Sequence, residues 1–145
     1  MPSAQLIKKQ GVPVSATVLP EHSHHNELSK RFPNVFLVVQ DTALKFLKRF
    51  SQGHIEPTIS WEYISLSNGG FYLRLKSENP IRLYIPETNY YSTLSADAAS
   101  IIINLYTYAS LKRELGYDFL SEHYNLLHRF AGFHIEGSDI LEALN

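Results

Sequence analysis

Trp61-Glu62-Tyr63-Ile64-Ser65-Leu66-Ser67-Asn68-Gly69-Gly70-Phe71-Tyr72-Leu73-Arg74-Leu75-Lys76 reads as two strands and the turn between them. Ile59, Trp61 and Tyr63 alternate with Ser60 and Glu62, and beyond the turn Phe71, Leu73 and Leu75 alternate with Tyr72, Arg74 and Lys76, the period of half-buried strands. Asn68-Gly69 is a strong short hairpin signal, because both residues tolerate the positive φ that matches strand twist. After Glu78-Asn79-Pro80 the alternation resumes as Ile81, Leu83, Ile85 against Arg82 and Tyr84, until Pro86 ends it. Three strands joined by short turns predict an antiparallel meander, with Pro86 to Thr93, including Tyr90 and Tyr91, as a loop.

Helices are expected on both sides of the strands. Upstream, the apolar run Val35 to Val39 leads to Asp41-Thr42 as an N-cap, followed by a helix with Leu44, Leu47 and Phe50 on one face and Gly53 as its stop. Downstream, Ser95 is the next cap, Asp97 lies in the first turn where a carboxylate meets exposed amides, and Ala98, Ile101, Ile102, Leu105 and Ala109 form the apolar stripe. Gly116 closes that helix. Asp118 opens another, with Leu120, Tyr124, Leu127 and Ala131 on one face and Gly132 past its end, and a short helix spans 138–144. Residues 1–30 carry prolines at positions 2, 13 and 20 and no sustained period, and read as an irregular arm before a domain spanning 31–145. The fold class is therefore α+β: a small antiparallel meander of three or more strands packed with three to four helices.

A chain of 145 residues with 44% apolar and 12% aromatic residues has material for one core. It has no cysteine, which excludes disulfides and thiolate sites and favours a cytoplasmic setting. No stretch suits a signal peptide or a membrane span, so no membrane partner is expected. A net charge of −1, from 14 acidic and 13 basic residues, argues against a general duplex binder, which needs a basic excess. It equally argues against a DNA mimic, which needs carboxylates at phosphate-like density.

Three ordered motifs carry a family resemblance. Trp61 to Tyr72 resembles the W-x-(F/Y)-x-x-L-S-N-G-x-x-(F/Y) signature of ArdB/KlcA antirestriction proteins. Leu94 to Ala99 is similar to that family's L-S-(P/A)-(D/E)-A-A helix start, and His123-Tyr124, Leu127, then His134-Ile135-Glu136 resemble its H-Y-x-x-L and H-P-E segments. The likeness covers roughly residues 32 to 144. It departs at 54–60, where the family has an aromatic and a Gly-Gly pair, in a longer 82–91 segment, and at Ile135, where the family has proline.

The resemblance implies an ArdB-like single domain that relieves type I restriction of incoming DNA on a mobile element, without catalysis, cofactor or metal. Its partner would be the type I restriction-modification machinery or an associated host factor, with any DNA binding weak. The family-matched candidates for function or folding are Trp61, Ser67, Asn68, Gly69, Asp97, His123, Tyr124 and Glu136. Alternatives are a DNA-associated transcriptional regulator of a mobile element and an inhibitor of another DNA-targeting defence system.

Other constellations invite sharper chemistry. His22, His24, His25 and Glu27 offer metal-ligating types but no second pair at a defined spacing, so a solvated arm is the reading they favour. His123, His128 and His134 near Asp118, Glu122 and Glu136 suggest acid–base pairs, yet no hydrolase, Walker or zincin motif accompanies them. Lys45, Lys48, Arg49, Lys112 and Arg113 suit phosphate contacts or merely solvated helix faces.

Overall fold

The structure, a computed structural model, describes residues 12–55 and 59–145. A central helix, α3 (Ala96–Leu115), organises the rest. Before it come β1 (Ala16–Val18), a 3-10 turn at Glu21–Ser23, α1 (His24–Arg31), α2 (Phe36–Phe50), β2 (Trp61–Leu66), β3 (Phe71–Leu75), β4 (Ile81–Ile85), a 3-10 turn at Pro86–Thr88 and β5 (Tyr90–Leu94). After it come α4 (Asp118–Ala131) and α5 (Gly137–Leu144). The class is α+β in one domain, as expected.

Helix α3 starts and stops where its sequence dictates. Ser95 Oγ accepts the Ala98 N–H at 3.1 Å, and Gly116 ends the helix at φ 80°, a conformation glycine adopts without a Cβ penalty. Its burial exceeds the predicted stripe: Ile103, Asn104, Thr107, Tyr108 and Leu111 are buried as well. An apolar helix buried on several sides belongs in the middle of a fold.

The meander is corrected. β1, β2 and β3 form one antiparallel sheet in that order, whereas β4 pairs with β5 in a separate two-stranded sheet. The reason lies on α3. Ser100 Oγ accepts the Leu75 N–H at 2.9 Å, Asn104 accepts from Leu73 N at 3.0 Å and donates to Leu73 O at 2.8 Å, and the Tyr108 hydroxyl donates to Phe71 O at 2.5 Å. Four helical residues rise about 6 Å and two strand residues about 6.6 Å, so side chains at i, i+4 and i+8 keep step with alternate residues of a strand edge. With its outer edge engaged by the helix, β3 cannot pair with β4, and the 86–93 segment read as a loop supplies β5 instead, in register Ile85↔Tyr90 to Ile81↔Leu94.

The irregular reading of 1–30 is corrected over its second half; residues 1–11 lie outside the described residues. β1 pairs with β2 through Ala16↔Leu66, Thr17↔Ser65 and Val18↔Ile64, and α1 buries Leu28. His24 serves packing, stacking on Tyr63 at 3.8 Å between centroids, while His22 and His25 are exposed, His25 meeting Phe36 edge-on at 5.6 Å. α2 begins at Phe36, five residues before the expected cap, because Val39, Ala43, Leu47 and Phe50 share the buried face.

The hairpin turn also differs. Of Asn68 and Gly69, only Gly69 has positive φ, at 94°. Leu66 O accepts from Gly69 N, and Leu66 N donates to Gly70 O, so Ser67 to Gly69 form a three-residue loop. Asn68 contributes through its side chain, as shown below.

Candidate functional site

The hairpin tip is clamped from two sides. Asn68 Oδ1 accepts Gly70 N–H at 2.9 Å while Nδ2 donates to Leu126 O of α4 at 3.0 Å. Arg31 at the end of α1 donates to Gly69 O and Gly70 O at 3.0 and 3.1 Å and to Ser65 Oγ at 2.9 Å, with its Nε 3.2 Å from Glu27. Ser67 Oγ accepts the Ser15 N–H at 2.9 Å, tying in the strand β1. A Cβ on Gly70 would lie 2.9 Å from Leu66 Cδ1 and 3.0 Å from Leu126 Cβ, so glycine there is set by close approach. Ser67, Asn68 and Gly69 thus assemble one junction between sheet and helices.

A second network gathers Asp97, Glu136, His134 and Ser95 with Tyr72 and Arg74, which are not among the candidates the sequence singles out. Asp97 Oδ1 accepts the Tyr72 hydroxyl at 2.5 Å and lies 3.6 Å from Arg74 Nη1, while Oδ2 is 2.8 Å from His134 Nε2. The Glu136 N–H donates to His134 Nδ1 at 2.9 Å, which leaves Nε2 to carry the proton toward Asp97. The Glu136 carboxylate accepts from Ser95 N at 3.1 Å and from the Ser95 hydroxyl. Arg74 also meets Glu62 at 3.2 Å. The 132–136 connection is thereby pinned to the N-terminus of α3, presenting Ile135 with 97% of its surface exposed.

These contacts set the electrostatics. Burial pushes the Asp97 carboxyl up, but hydrogen bonds from His134 and Tyr72 and the charge of Arg74 outweigh it and hold the group below the ordinary carboxylate range. Burial, then the Asp97 charge, raises the Tyr72 phenol well above its ordinary value. Both nitrogens of His134 are engaged, so the arrangement holds protons in place more readily than it passes them to a substrate. Asp97→Asn is expected to cost about 1–3 kcal/mol of unfolding free energy in urea titrations. The Asp97 contribution is complete above the unfolded carboxyl value and is lost as pH falls through the lower folded one.

The remaining candidates stand apart. His123 on α4 is buried, with its ring 4.6 Å from Phe32 and 5.9 Å from Tyr108. Its Nδ1 has no partner among the described residues. Tyr124 is half-buried and lines a groove of about 540 Å³ with Tyr106 and Arg113. Trp61 is half-buried against the core. The predicted acid–base partners of the C-terminal histidines are thus replaced by one pairing, His134 with Asp97. Of the basic residues, Arg49 meets Glu87 at 3.0 Å and Lys112 meets Asp118 at 3.0 Å. Among the described residues no group of three or more metal-ligating side chains occurs, and no helix is long and apolar enough to cross a membrane.

Fold and site together define a class: a single-domain α+β protein in which Ser67, Asn68, Gly69, Asp97 and Glu136 sit at the junctions of a sheet hairpin, the helices and a C-terminal loop. A family model described as "Antirestriction protein" matches residues 58–145, and the chain belongs to that family. It is 34% identical to one antirestriction protein KlcA of Escherichia coli over 89 residues, 59% of this chain and 61% of that relative. It is 28% identical to a second E. coli KlcA over 141 residues, 94% of this chain and 98% of the relative. A solved chain, described with the KlcA and ArdB proteins as showing a novel fold and antirestriction activity against type I DNA restriction systems in vivo but not in vitro, matches with a TM-score of 0.84. It is 26% identical, and the likeness covers 92% of this chain and 96% of that one.

Proposed function

We propose that this protein relieves type I restriction of incoming DNA in the cytoplasm, stoichiometrically and without catalysis, by engaging the restriction-modification machinery or a host factor that serves it. The observation that carries this reading is the family match over 58–145, joined to a likeness of fold that runs almost the whole length of the KlcA/ArdB chain. A net charge of −1 supports a route other than DNA mimicry. The solved relative is active in vivo but not in vitro, which is the behaviour of a protein that acts through a further cellular component.

The test is the plating of unmodified phage on cells with a type I restriction system, with and without the protein, while methylation is followed separately. Recovered plating at unchanged methylation is the expected result. Unchanged plating with folded protein present in the cells defeats the reading. In the same assay, folded variants of Asn68, His123 and Glu136 divide the motif residues into those the target senses and those that serve folding.

A further inference from the structure

The outward face of the β4–β5 ribbon has no part in the networks described above. Ile81, Leu83 and Ile85 turn to the core, which leaves Arg82 and Tyr84 on the opposite face with their cross-strand partners Thr93 and Tyr91. The Tyr84 and Tyr91 rings lie 6.2 Å apart at 74°, and Tyr91 is 58% exposed. Neither hydroxyl has a hydrogen-bond partner among the described residues. Tyr91, exposed, and Tyr84, half-buried beside it, present a π face and ring edges that a planar ligand can stack on.

Arg82 continues that face into a groove of about 330 Å³ that also holds His54, Ser51 and Thr93 and, among the described residues, no carboxylate. Unlike Arg31, Arg49 and Arg74, which each meet a carboxylate, Arg82 has no ion-pair partner among the described residues. The adjoining groove beyond Pro80 contains Glu78 together with Lys76, whose charges offset one another. An aromatic pair beside a free guanidinium matches a chain of planar bases on a phosphate backbone.

We propose that the Tyr84/Tyr91 face with Arg82 binds single-stranded nucleic acid, the bases stacking on the tyrosines and a phosphate meeting Arg82. Stacking of this kind is tolerant of sequence, because every base has a π face. A duplex buries those faces between its own base pairs and so gains little here. With one cation at the centre of the site and a nearly neutral chain, salt dependence is shallow, with a log–log slope of about −0.7 for a single phosphate contact on a single strand. This surface is separate from the Asp97 and Asn68 networks, and the proposal stands whether or not the protein relieves restriction.

The experiment is fluorescence anisotropy of the full chain with labelled oligodeoxythymidine and oligouridine of about twelve nucleotides, and with a duplex of the same length. Saturable binding of single strands is expected, with the duplex at least about tenfold weaker. Tyr91→Ala and Tyr84→Ala each reduce affinity about tenfold, Tyr91→Phe retains it, and Arg82→Gln weakens binding and flattens the salt slope. The two oligonucleotides distinguish a DNA from an RNA preference. No saturable binding of either strand, equal binding of the duplex, or alanine variants that are folded and bind as well as the parent each overturns the proposal. Phage plating with the same variants reads the antirestriction activity independently.

Discussion

Asn104→Leu is expected to lower the unfolding free energy by about 2–5 kcal/mol, although leucine has the same branched side-chain skeleton as asparagine and higher helix propensity. Asn104 is fully buried in the middle of α3 and satisfies both backbone groups of Leu73 at once, accepting from its N–H at 3.0 Å and donating to its carbonyl at 2.8 Å. Leucine leaves those two groups buried without partners, and each orphan costs about 1–3 kcal/mol. Water cannot easily replace the amide, because Leu73 and the flanking Ile103 and Leu105 are buried as well. Ser100→Ala orphans one strand group, Leu75 N, and gives up the bond its hydroxyl donates to Ala96 O, a carbonyl on its own helix, so it should cost about half as much. Urea titrations of the three proteins check the order: the midpoint should fall most for Asn104→Leu and less for Ser100→Ala, at unchanged slope. A loss under about 1 kcal/mol for Asn104→Leu would mean that the helix does not stand in for a fourth strand beside β3.

That helix-to-strand seam also explains what could be read from the chain and what could not. The β2–β3 strands, the Ser95 cap and the Gly116 stop rest on neighbours within a few residues and are found where spacing predicts them, as is the α4 face except that His123 is buried where Tyr124 is expected. Ser100 and Asn104 are polar, and a count of apolar periodicity assigns such residues to solvent. They are buried because they hydrogen-bond to an edge some 25 to 31 residues away, a partner no local pattern contains. Without that seam, local pattern alone predicts β4 beside β3 in one meander and a loop where β5 forms. β1 was missed for a related reason: it is three residues long and exposed throughout, so it shows no alternation.

The candidate site was legible to a similar depth. Motif spacing singled out Asp97 and Glu136, which the structure joins through His134 and Ser95, and Ser67, Asn68 and Gly69, which form the hairpin junction. It did not reveal Tyr72, Arg74 or Arg31. Tyr72 and Arg74 sit at positions of β3 that alternation counts as outward, yet Asp97 bonds the Tyr72 hydroxyl and pairs with the Arg74 guanidinium. Arg31 fell in a segment read as irregular. A sequence signal did exist for part of this: His134 two residues before Glu136, with Asp97 two residues after a helix cap, places a donor and an acceptor at two chain turns that could meet.

His123 sets the second large effect, a stability that drains away between pH 6.5 and 4. Burial first, and the nearby Arg31 charge second, push its imidazole down from the ordinary 6.5 to about 4. In that window the unfolded chain binds a proton at this position that the folded chain does not, so stability rises with pH there and falls as the solution is acidified. The full contribution is present above pH 6.5. At about 1.4 kcal/mol per unit, the shift corresponds to roughly 3 kcal/mol lost by pH 4. His123→Phe keeps an aromatic ring between Phe32 and Tyr108 and gives up no bond at Nδ1, which is already unpartnered among the described residues. Unfolding free energies of parent and variant from pH 4 to 8 provide the check. Their difference should change by about 3 kcal/mol across the window and stay flat above it, and parallel profiles would mean that His123 is not held neutral by the fold. If the variant also keeps antirestriction activity at neutral pH, the H-Y motif at His123-Tyr124 is a folding element at its histidine, and the surface that meets the target lies elsewhere.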